Sequence, residues 1–272
     1  AKIKNSIGEI ETSRSLPALS NPQAAVTDLQ GQIWVSFLEL NEIYVYSKDL
    51  KNLVAQVDLS SFALKGTAGN HSDLGPMALV DEDTILVAAQ RLHRDRAWAP
   101  DKQAGLAFIN TNTYKVESTH LTESSNPVYI GVDSLKSRTL VVGKGDLSHS
   151  SGNRGQFLFF NNNDLVSASL NFVSGKIIAA DFATGAEFPA LIVWYPQENK
   201  SCVQLGNSPL VCDGNPENGG YVFSAIRHVG NIIFVAYYGN QTSELWMITN
   251  GETVSIQKVP MDLPIFSLSF GP

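Results

Sequence analysis

The hydrophobic positions of this 272-residue chain recur in short blocks rather than at helical spacing. Five segments share one order: an apolar strand, a turn, a very hydrophobic second strand, a polar loop, an alternating third strand, a turn and a fourth strand. The second strands are centred near Trp34, Leu86, Leu140, Val193 and Phe234. The pattern therefore indicates one supersecondary unit repeated five times.

The turns between these strands also recur. Asp, Asn, Gly and Ser, which tolerate turn backbones, precede the second strands in "DLQGQ", "VDEDT", "DSLKSR" and "HVGN". Similar residues follow the third strands in "NTNTY", "NNND" and "TNGE". Helix start signals followed by 3.6-residue periodicity are nearly absent. Repeats spaced by about forty to fifty-five residues predict an all-β fold, a β-propeller of four-stranded blades.

The two ends of the chain each resemble part of a further blade. "LPIFSLSFGP" at the C-terminus resembles a first strand, and "IGEIETSRSLPALSNP" near the N-terminus resembles a fourth strand. Pairing of the two would close the ring and remove exposed strand edges. The sequence predicts a single β-propeller domain over residues 1–272, with five full blades plus a composite sixth. Five or seven blades are the alternatives.

Composition narrows the classes of partner. Charged residues make up 17% of the chain and the formal net charge is −7. Phosphate contacts need a clustered excess of Lys and Arg, so nucleic acid is not expected as a partner. The chain has no run of eighteen apolar residues, so no membrane span is expected. No cofactor is predicted, and a divalent cation is left open.

The two cysteines, Cys202 and Cys212, flank "GNSP" in a segment that predicts a hairpin. Such a hairpin brings the two thiols across from each other. We expect a disulfide, with two reduced structural cysteines as the alternative. A disulfide indicates an oxidising compartment, and therefore an extracytoplasmic location: periplasmic, cell-surface or secreted. The absence of CxxC or a nearby His argues against a zinc site.

The long polar loops are predicted on one face of the disc, where loops on a rigid scaffold concentrate binding residues. The segment "RLHRDRAWAPDK", residues 91–102, carries three of the seven arginines of the chain. Arginine offers a planar fork to a carboxylate, phosphate or acidic sugar, and aromatic rings anchor proteins and sugars. The candidate ligand-binding residues are Arg91, His93, Arg94, Arg96, Trp98, His149, Arg154, Tyr195, Tyr237 and Tyr238.

Two structural interpretations stand beside this ligand-binding hypothesis. In the first, the arginines pair with Asp95 and Asp101 inside a solvated loop. In the second, the aromatic rings pack their loops onto the edges of the blades. The sequence leaves both open.

Few features of the sequence indicate catalysis. "GNSPL" lacks the second glycine of GxSxG, no catalytic residue is proposed, and a non-enzymatic protein is favoured. His71, Asp73 and Asp213 are weak candidates for a metal site at the mouth of the channel. No HxH or HExxH spacing supports them.

The segment "NPVYIGVDSLKSRTLVVGKGD", followed by "GQFLFFNNND", resembles repeats of the YncE-like and lactonase-like propellers. In those families a proline-led strand precedes the hydrophobic strand, as Asn21-Pro22 and Asn126-Pro127 do here. The resemblance covers most of the chain as strand order and includes no catalytic motif. It implies that ligands meet the long-loop face.

We therefore expect a non-enzymatic propeller that recognises a protein or a glycan through its long-loop face. One alternative is a hydrolase of the lactonase or gluconolactonase kind, with a metal held among Asp73, Glu198 and Asp213. A second is a scaffold subunit of a cell-envelope assembly, docked through an open strand edge.

Overall fold

A computed structural model describes residues 2–4, 9–66, 70–123, 125–133, 135–145, 155–161, 164–214, 222–239, 242–251 and 253–262. Within them the chain forms five four-stranded antiparallel sheets, each with its strands in chain order from one side to the other. This is the predicted repeat. The chain divides into two compact units, Ala1–Pro127 (unit 1) and Val128–Pro272 (unit 2).

Unit 1 begins with a short pair, β1 (Lys2–Lys4) and β2 (Glu9–Thr12). Sheet 1 follows as β3 (Pro22–Thr27), β4 (Ile33–Phe37), β5 (Glu42–Tyr46) and β6 (Leu53–Asp58). After a 3-10 turn (Ser60–Phe62), sheet 2 starts with β7 (Leu74–Leu79) and β8 (Thr84–Ala89). A small hairpin of β9 (Leu92–His93) and β10 (Ala99–Pro100) comes next. Strands β11 (Ala104–Asn110) and β12 (Lys115–Thr122) then complete sheet 2.

Unit 2 holds the other three sheets. Sheet 3 has β13 (Pro127–Asp133), β14 (Arg138–Gly143), β15 (Gln156–Asn161) and β16 (Asp164–Phe172). Sheet 4 has β17 (Lys176–Asp181), β18 (Ala190–Tyr195), β19 (Lys200–Leu205) and β20 (Ser208–Gly214). Sheet 5 has β21 (Phe223–Val229), β22 (Ile232–Gly239), β23 (Thr242–Thr249) and β24 (Ser255–Met261).

Burial follows the position of each strand within its sheet. Every residue of β8 is buried, because a central strand is covered on both faces. The fourth strand β12 alternates between exposed and half-buried residues, as a strand with one wet face does. The very hydrophobic second strands that define the repeat in the sequence are therefore the middle of each sheet.

Neighbouring sheets of one unit bury their faces against each other. In unit 1, Trp34 and Ile43 of sheet 1 share a core with Leu74 and Ile85 of sheet 2. In unit 2, sheets 3 and 4 share one core and sheets 4 and 5 share another. Burial of this apolar surface is the main stabilising contribution to each unit.

The cysteine hairpin and its disulfide are as predicted. Cys202 on β19 lies directly opposite Cys212 on β20, and their sulfur atoms are bonded. The turn that joins the two strands contains Gly206, whose φ of +58° suits a residue without a side chain. The local pattern of residues 200–212 was thus enough to predict this cross-link.

The predicted closure of the ring stays a prediction. Of the N-terminal segment, Glu9–Thr12 is a strand, and it pairs with β1. Residues 263–272, which supply the other half of the predicted composite blade, lie outside the described residues. The expected single domain is likewise left as a prediction. In the described part of the chain, no helix has the length and apolar character needed to cross a membrane.

Candidate functional site

The arginine-rich segment folds as an ordered hairpin rather than as a loose loop. His93 of β9 pairs with Ala99 of β10, and the chain between them makes a 3-10 turn over Arg94–Arg96. The Trp98 amide donates to the His93 carbonyl at 3.1 Å and closes the hairpin. The polar, non-periodic sequence indicated a long loop but not this internal structure.

The tip of the hairpin has an unusual backbone. Ala97 and Trp98 both have positive φ, 54° and 63°, a conformation that is costly for residues other than glycine. Such residues persist where surrounding contacts hold them, and they cluster at functional sites. The contact here is with Arg94, whose guanidinium carbon lies 4.5 Å from the centre of the Trp98 ring.

Arg94 connects the hairpin to two other loops of unit 1. Its side chain is only 13% exposed, and it forms ion pairs with Asp73 and Glu39. One of its terminal nitrogens also donates to the Leu38 carbonyl at 3.0 Å. Asp73 comes from the connection between sheets 1 and 2, and Glu39 from the loop between β4 and β5. The Arg94 guanidinium thus links the hairpin to the two segments that carry Asp73 and Glu39.

Asp73 is the buried partner in this arrangement. Its side chain is fully buried; one oxygen accepts from Arg94 at 2.7 Å and the other from the Leu92 amide at 2.8 Å. Burial raises the pKa of the Asp73 carboxyl, and the hydrogen bonds from Arg94 and Leu92 oppose that shift. The carboxylate depends on these two donors because burial disfavours its charge.

The other cations of the hairpin are largely paired within it. Arg91 forms an ion pair with Asp101 at 3.1 Å, and His93 lies 3.7 Å from the other oxygen of the same carboxylate. Arg96 is 71% exposed and lies 4.0 Å from Asp95. This is the pairing that the solvated-loop interpretation predicted, except that Arg94 reaches outside the segment. The groups left for a partner include the Arg96 side chain and the Trp98 ring, which is 46% exposed.

The remaining candidate ligand-binding residues lie in unit 2 or outside the described residues. Tyr195 ends β18, and its hydroxyl accepts from the Gln204 side chain. The turn-forming residues of "YYGNQTSE" predict a loop over residues 237–244. Strand β22 nevertheless runs to Gly239, so the adjacent tyrosines face opposite ways. Tyr237 is buried and stacks on Trp246 at 4.6 Å, whereas Tyr238 is about half exposed. His149 and Arg154 fall outside the described residues.

Of the four candidate metal ligands, His71 has a buried Nδ1 with no hydrogen-bond partner among the described residues, and the other three have partners. Asp73 is held by Arg94. Asp213, in unit 2, accepts from the Gly214 amide at 2.8 Å and from the Tyr237 hydroxyl. Glu198 forms an ion pair with Lys200. In the ranges that the structure describes, no three His, Cys, Asp or Glu side chains are grouped to hold a metal, and a metal site stays untested.

A network in unit 2 was not anticipated from the sequence. Asp181, almost fully buried at the end of β17, accepts from the Tyr129 hydroxyl of β13 at 3.0 Å. It also accepts from the Arg227 side chain at 2.9 Å and the His228 amide at 2.6 Å, both on β21. One carboxylate thereby joins the first strands of sheets 3, 4 and 5. Burial, with the Asp181 charge adding to it, raises the pKa of the Tyr129 hydroxyl well above its usual range.

Acid is expected to destabilise unit 2 through His228. Burial lowers the pKa of this imidazole, and its Nδ1 is buried without a hydrogen-bond partner among the described residues. In the unfolded chain histidine titrates near pH 6.5, so the unfolded state takes up the proton first as the pH falls below about 6.5. The free energy of unfolding should therefore decrease between pH 7 and pH 5.5. The decrease is at most about 1.3 kcal/mol, a limit reached when the folded imidazole stays neutral throughout.

Urea unfolding at a series of pH values measures this effect. The His228→Gln variant should show a shallower decrease than the unaltered protein. His120→Gln, at a half-buried position of the outer strand β12, is the matched control and should keep the full decrease. An unchanged pH profile in His228→Gln would contradict the assignment.

Comparisons with known proteins identify the fold class. No family model and no curated protein matches the chain. Among solved structures it is similar to the Dos1 propeller, with a TM-score of 0.64 and 10% identity over 92% of this chain and 62% of that one. The Neurospora crassa Pan2 WD40 domain matches with a TM-score of 0.56 and 8% identity, over 92% of this chain and 69% of that one. Kluyveromyces lactis Hsv2 matches with a TM-score of 0.51 and 9% identity, over 89% of this chain and 65% of that one.

These similarities, together with the five four-stranded sheets, show a β-propeller repeat fold. The chain spans 62% of the length of the Dos1 propeller that it matches. At such low identity the likeness is one of fold alone, and a propeller fold hosts many functions. The neighbours do not single out the YncE-like or lactonase-like families, so that finer resemblance stays a prediction, as does the number of blades.

Proposed function

We propose that this protein is a non-enzymatic binding propeller that recognises a protein partner through the hairpin of residues 91–103. The observation that carries the proposal is Trp98, a half-exposed indole held on a fixed support. The ring lies on Arg94, and Arg94 is held by Asp73 and Glu39. Trp and Arg are the residues most enriched among those that dominate binding energy at protein interfaces.

The support under the ring favours binding in a second way. A loop that is ordered before it meets its partner loses less conformational entropy on association. The hairpin is closed by backbone hydrogen bonds and by the Arg91–Asp101 ion pair, so its shape does not depend on a partner. Because most of its cations already have carboxylate partners, we expect affinity to come from the ring and Arg96 rather than from a strongly basic surface.

A glycan is the second ligand class for the same surface, because the exposed face of an indole also suits the apolar face of a sugar ring. Replacing Trp98 removes either interaction. Binding to arrayed glycans and to purified candidate proteins therefore separates the two classes.

The Trp98→Ala variant is expected to weaken binding of the true partner by about thirtyfold, equivalent to about 2 kcal/mol. Partners crosslinked to the unaltered protein, to Trp98→Ala and to Phe188→Ala should be compared by quantitative mass spectrometry. Phe188 is also partly exposed but lies in unit 2, between β17 and β18, so its replacement is the matched control. Recovery of the same partners in equal amounts with Trp98→Ala would contradict the proposal.

We also propose an extracytoplasmic location. The support is the Cys202–Cys212 cross-link, because disulfides persist mainly in oxidising compartments. Finding both cysteines as free thiols in protein harvested with a thiol-blocking reagent would contradict this location.

A further inference from the structure

The two ends of the Cys202–Cys212 disulfide lie in different surroundings. Cys202, on the inner of the two strands, is 1% exposed, whereas Cys212, on the outer strand β20, is exposed. The strand register explains the difference. Ile177, Val193, Cys202 and Cys212 lie opposite one another on β17, β18, β19 and β20 and form one row across sheet 4. Cys212 is the outermost member of that row.

The row lies on the face of sheet 4 that packs against sheet 3. Ile177 and Val193 belong to the core shared by these two sheets. Side chains alternate along a strand, so Val211 and Asp213 lie on the opposite face of β20. Val211 packs on the core shared with sheet 5, and Asp213 accepts from Tyr237 of that sheet. The disulfide therefore sits at the outer end of the row that leads into the core between sheets 3 and 4.

We propose that Cys212 is a site of thiol–disulfide exchange with small thiols of the glutathione class, and that Cys202 is the buried thiol that resolves the product. The inference goes beyond the proposed binding function and does not rest on it. It assigns a modification to a sulfur that solvent reaches and a separate role to one that solvent does not reach.

The exchange proceeds by two displacements. A thiolate attacks the Cys212 sulfur, forming a mixed disulfide there and releasing Cys202 as a thiolate. A second thiol then attacks the sulfur of the small thiol, releasing Cys212 and forming a small-molecule disulfide. Two electrons pass from the two small thiols to the two cysteine sulfurs. In the reverse direction, the Cys212 thiolate attacks a small-molecule disulfide and forms the mixed disulfide. Cys202 then attacks the Cys212 sulfur, releases the small thiol and restores the cross-link.

The difference in exposure between the two cysteines determines which sulfur is attacked. Displacement of Cys212 by attack at Cys202 would release the leaving thiolate into water, but a nucleophile cannot reach Cys202 inside the core. Attack at Cys212 is open to solvent, although it leaves the thiolate in apolar surroundings, where a thiolate is disfavoured. Because Cys202 stays directly opposite Cys212, it reverses the mixed disulfide quickly. The mixed disulfide should thus accumulate only when Cys202 is absent.

Two single-cysteine variants test the assignment. Native Cys202→Ala protein treated with oxidised glutathione should acquire one glutathione at Cys212. In native Cys212→Ala protein, Cys202 should be labelled at least about tenfold more slowly than Cys212 is in Cys202→Ala, and denaturation should remove the difference. Equal modification of the two variants under native conditions would overturn the proposal.

The unaltered protein gives a second measurement that does not depend on the folding of a variant. After reduction with dithiothreitol, brief native alkylation should label Cys212 before Cys202, as measured by peptide mass spectrometry. Urea added before alkylation should remove the difference. Resistance of the disulfide to dithiothreitol in the absence of urea, or earlier labelling of Cys202, would also overturn the proposal.

Discussion

Replacing Asp73 with alanine is expected to lower the free energy of unfolding of unit 1 by about 3 kcal/mol, because it leaves Arg94 without its buried carboxylate. The Leu92 amide also loses its acceptor. The expected loss lies at the lower end of the range for a broken buried ion pair, since Glu39 and the Leu38 carbonyl still accept from the guanidinium. Urea unfolding followed by hydrogen exchange of unit 1 peptides measures the loss.

A double-mutant cycle separates this mechanism from simple loss of packing. Arg94→Met should also destabilise unit 1, because the buried Asp73 carboxylate then loses its cation and keeps only the hydrogen bond from the Leu92 amide. The double variant Asp73→Ala with Arg94→Met should cost less than the sum of the two single changes. Asp95→Ala, at an exposed position of the same hairpin, is the control and should change stability by about 0.5 kcal/mol or less. Strict additivity of the two single effects would contradict the account.

The repeat was predictable because it depends only on local pattern. A central strand covered on both faces must be apolar throughout, as "TILVAA" is, and the turns beside it need residues that tolerate turn backbones. These requirements act within a few residues. They therefore leave a clear signal in one sequence, and the five sheets and the cysteine hairpin follow from it.

The partners of Arg94 were not predictable in this way. Asp73 and Glu39 precede it by 21 and 55 positions, and nothing in either loop distinguishes these carboxylates from others in turns. Only the packing of sheet 1 on sheet 2 brings the three loops together. The sequence thus indicated a binding surface, whereas the structure shows that the central arginine of its basic segment is a support beneath Trp98.

The C-terminal end of β22 shows a second limit of prediction from the sequence. "YYGNQTSE" contains Gly, Asn and Ser and indicates a loop from residue 237 onward. Sheet pairing continues to Gly239, however, and alternation along the strand then buries Tyr237 and exposes Tyr238. Tertiary pairing extended the strand past residues whose local preference is for turns.

One signal of the unit 2 network was present in the sequence. An aspartate lies at the end of the first strand, or within two residues after it, in four repeats: Asp28, Asp81, Asp133 and Asp181. Asp28 and Asp133 accept from amides of the turn that follows them, at 2.8 Å from Gln32 and 3.2 Å from Leu135. The shared position indicates a turn residue. It does not reveal that Asp181 alone of the four accepts from Tyr129 and from the strand of the next sheet.

The Asp181→Ala variant is expected to lower the free energy of unfolding of unit 2 by about 3 kcal/mol. The substitution leaves two buried hydrogen-bond donors without an acceptor, and each loss costs about 1–3 kcal/mol. These donors are the Tyr129 hydroxyl and the His228 amide. Arg227 is partly exposed and can be solvated, so it adds little. Asp181→Asn keeps one carbonyl acceptor and should lose only part of this stability.

The repeat itself supplies the matched control for this experiment. Asp81 follows the first strand of sheet 2 by two residues and is exposed, so Asp81→Ala should cost about 0.5 kcal/mol or less. Hydrogen exchange should show the loss in Asp181→Ala at β13, β17 and β21 together, because the three strands share the one acceptor. If only peptides of β17 lost protection, or if Asp81→Ala cost as much as Asp181→Ala, the carboxylate would be acting as a local turn residue and not as the joint between three sheets.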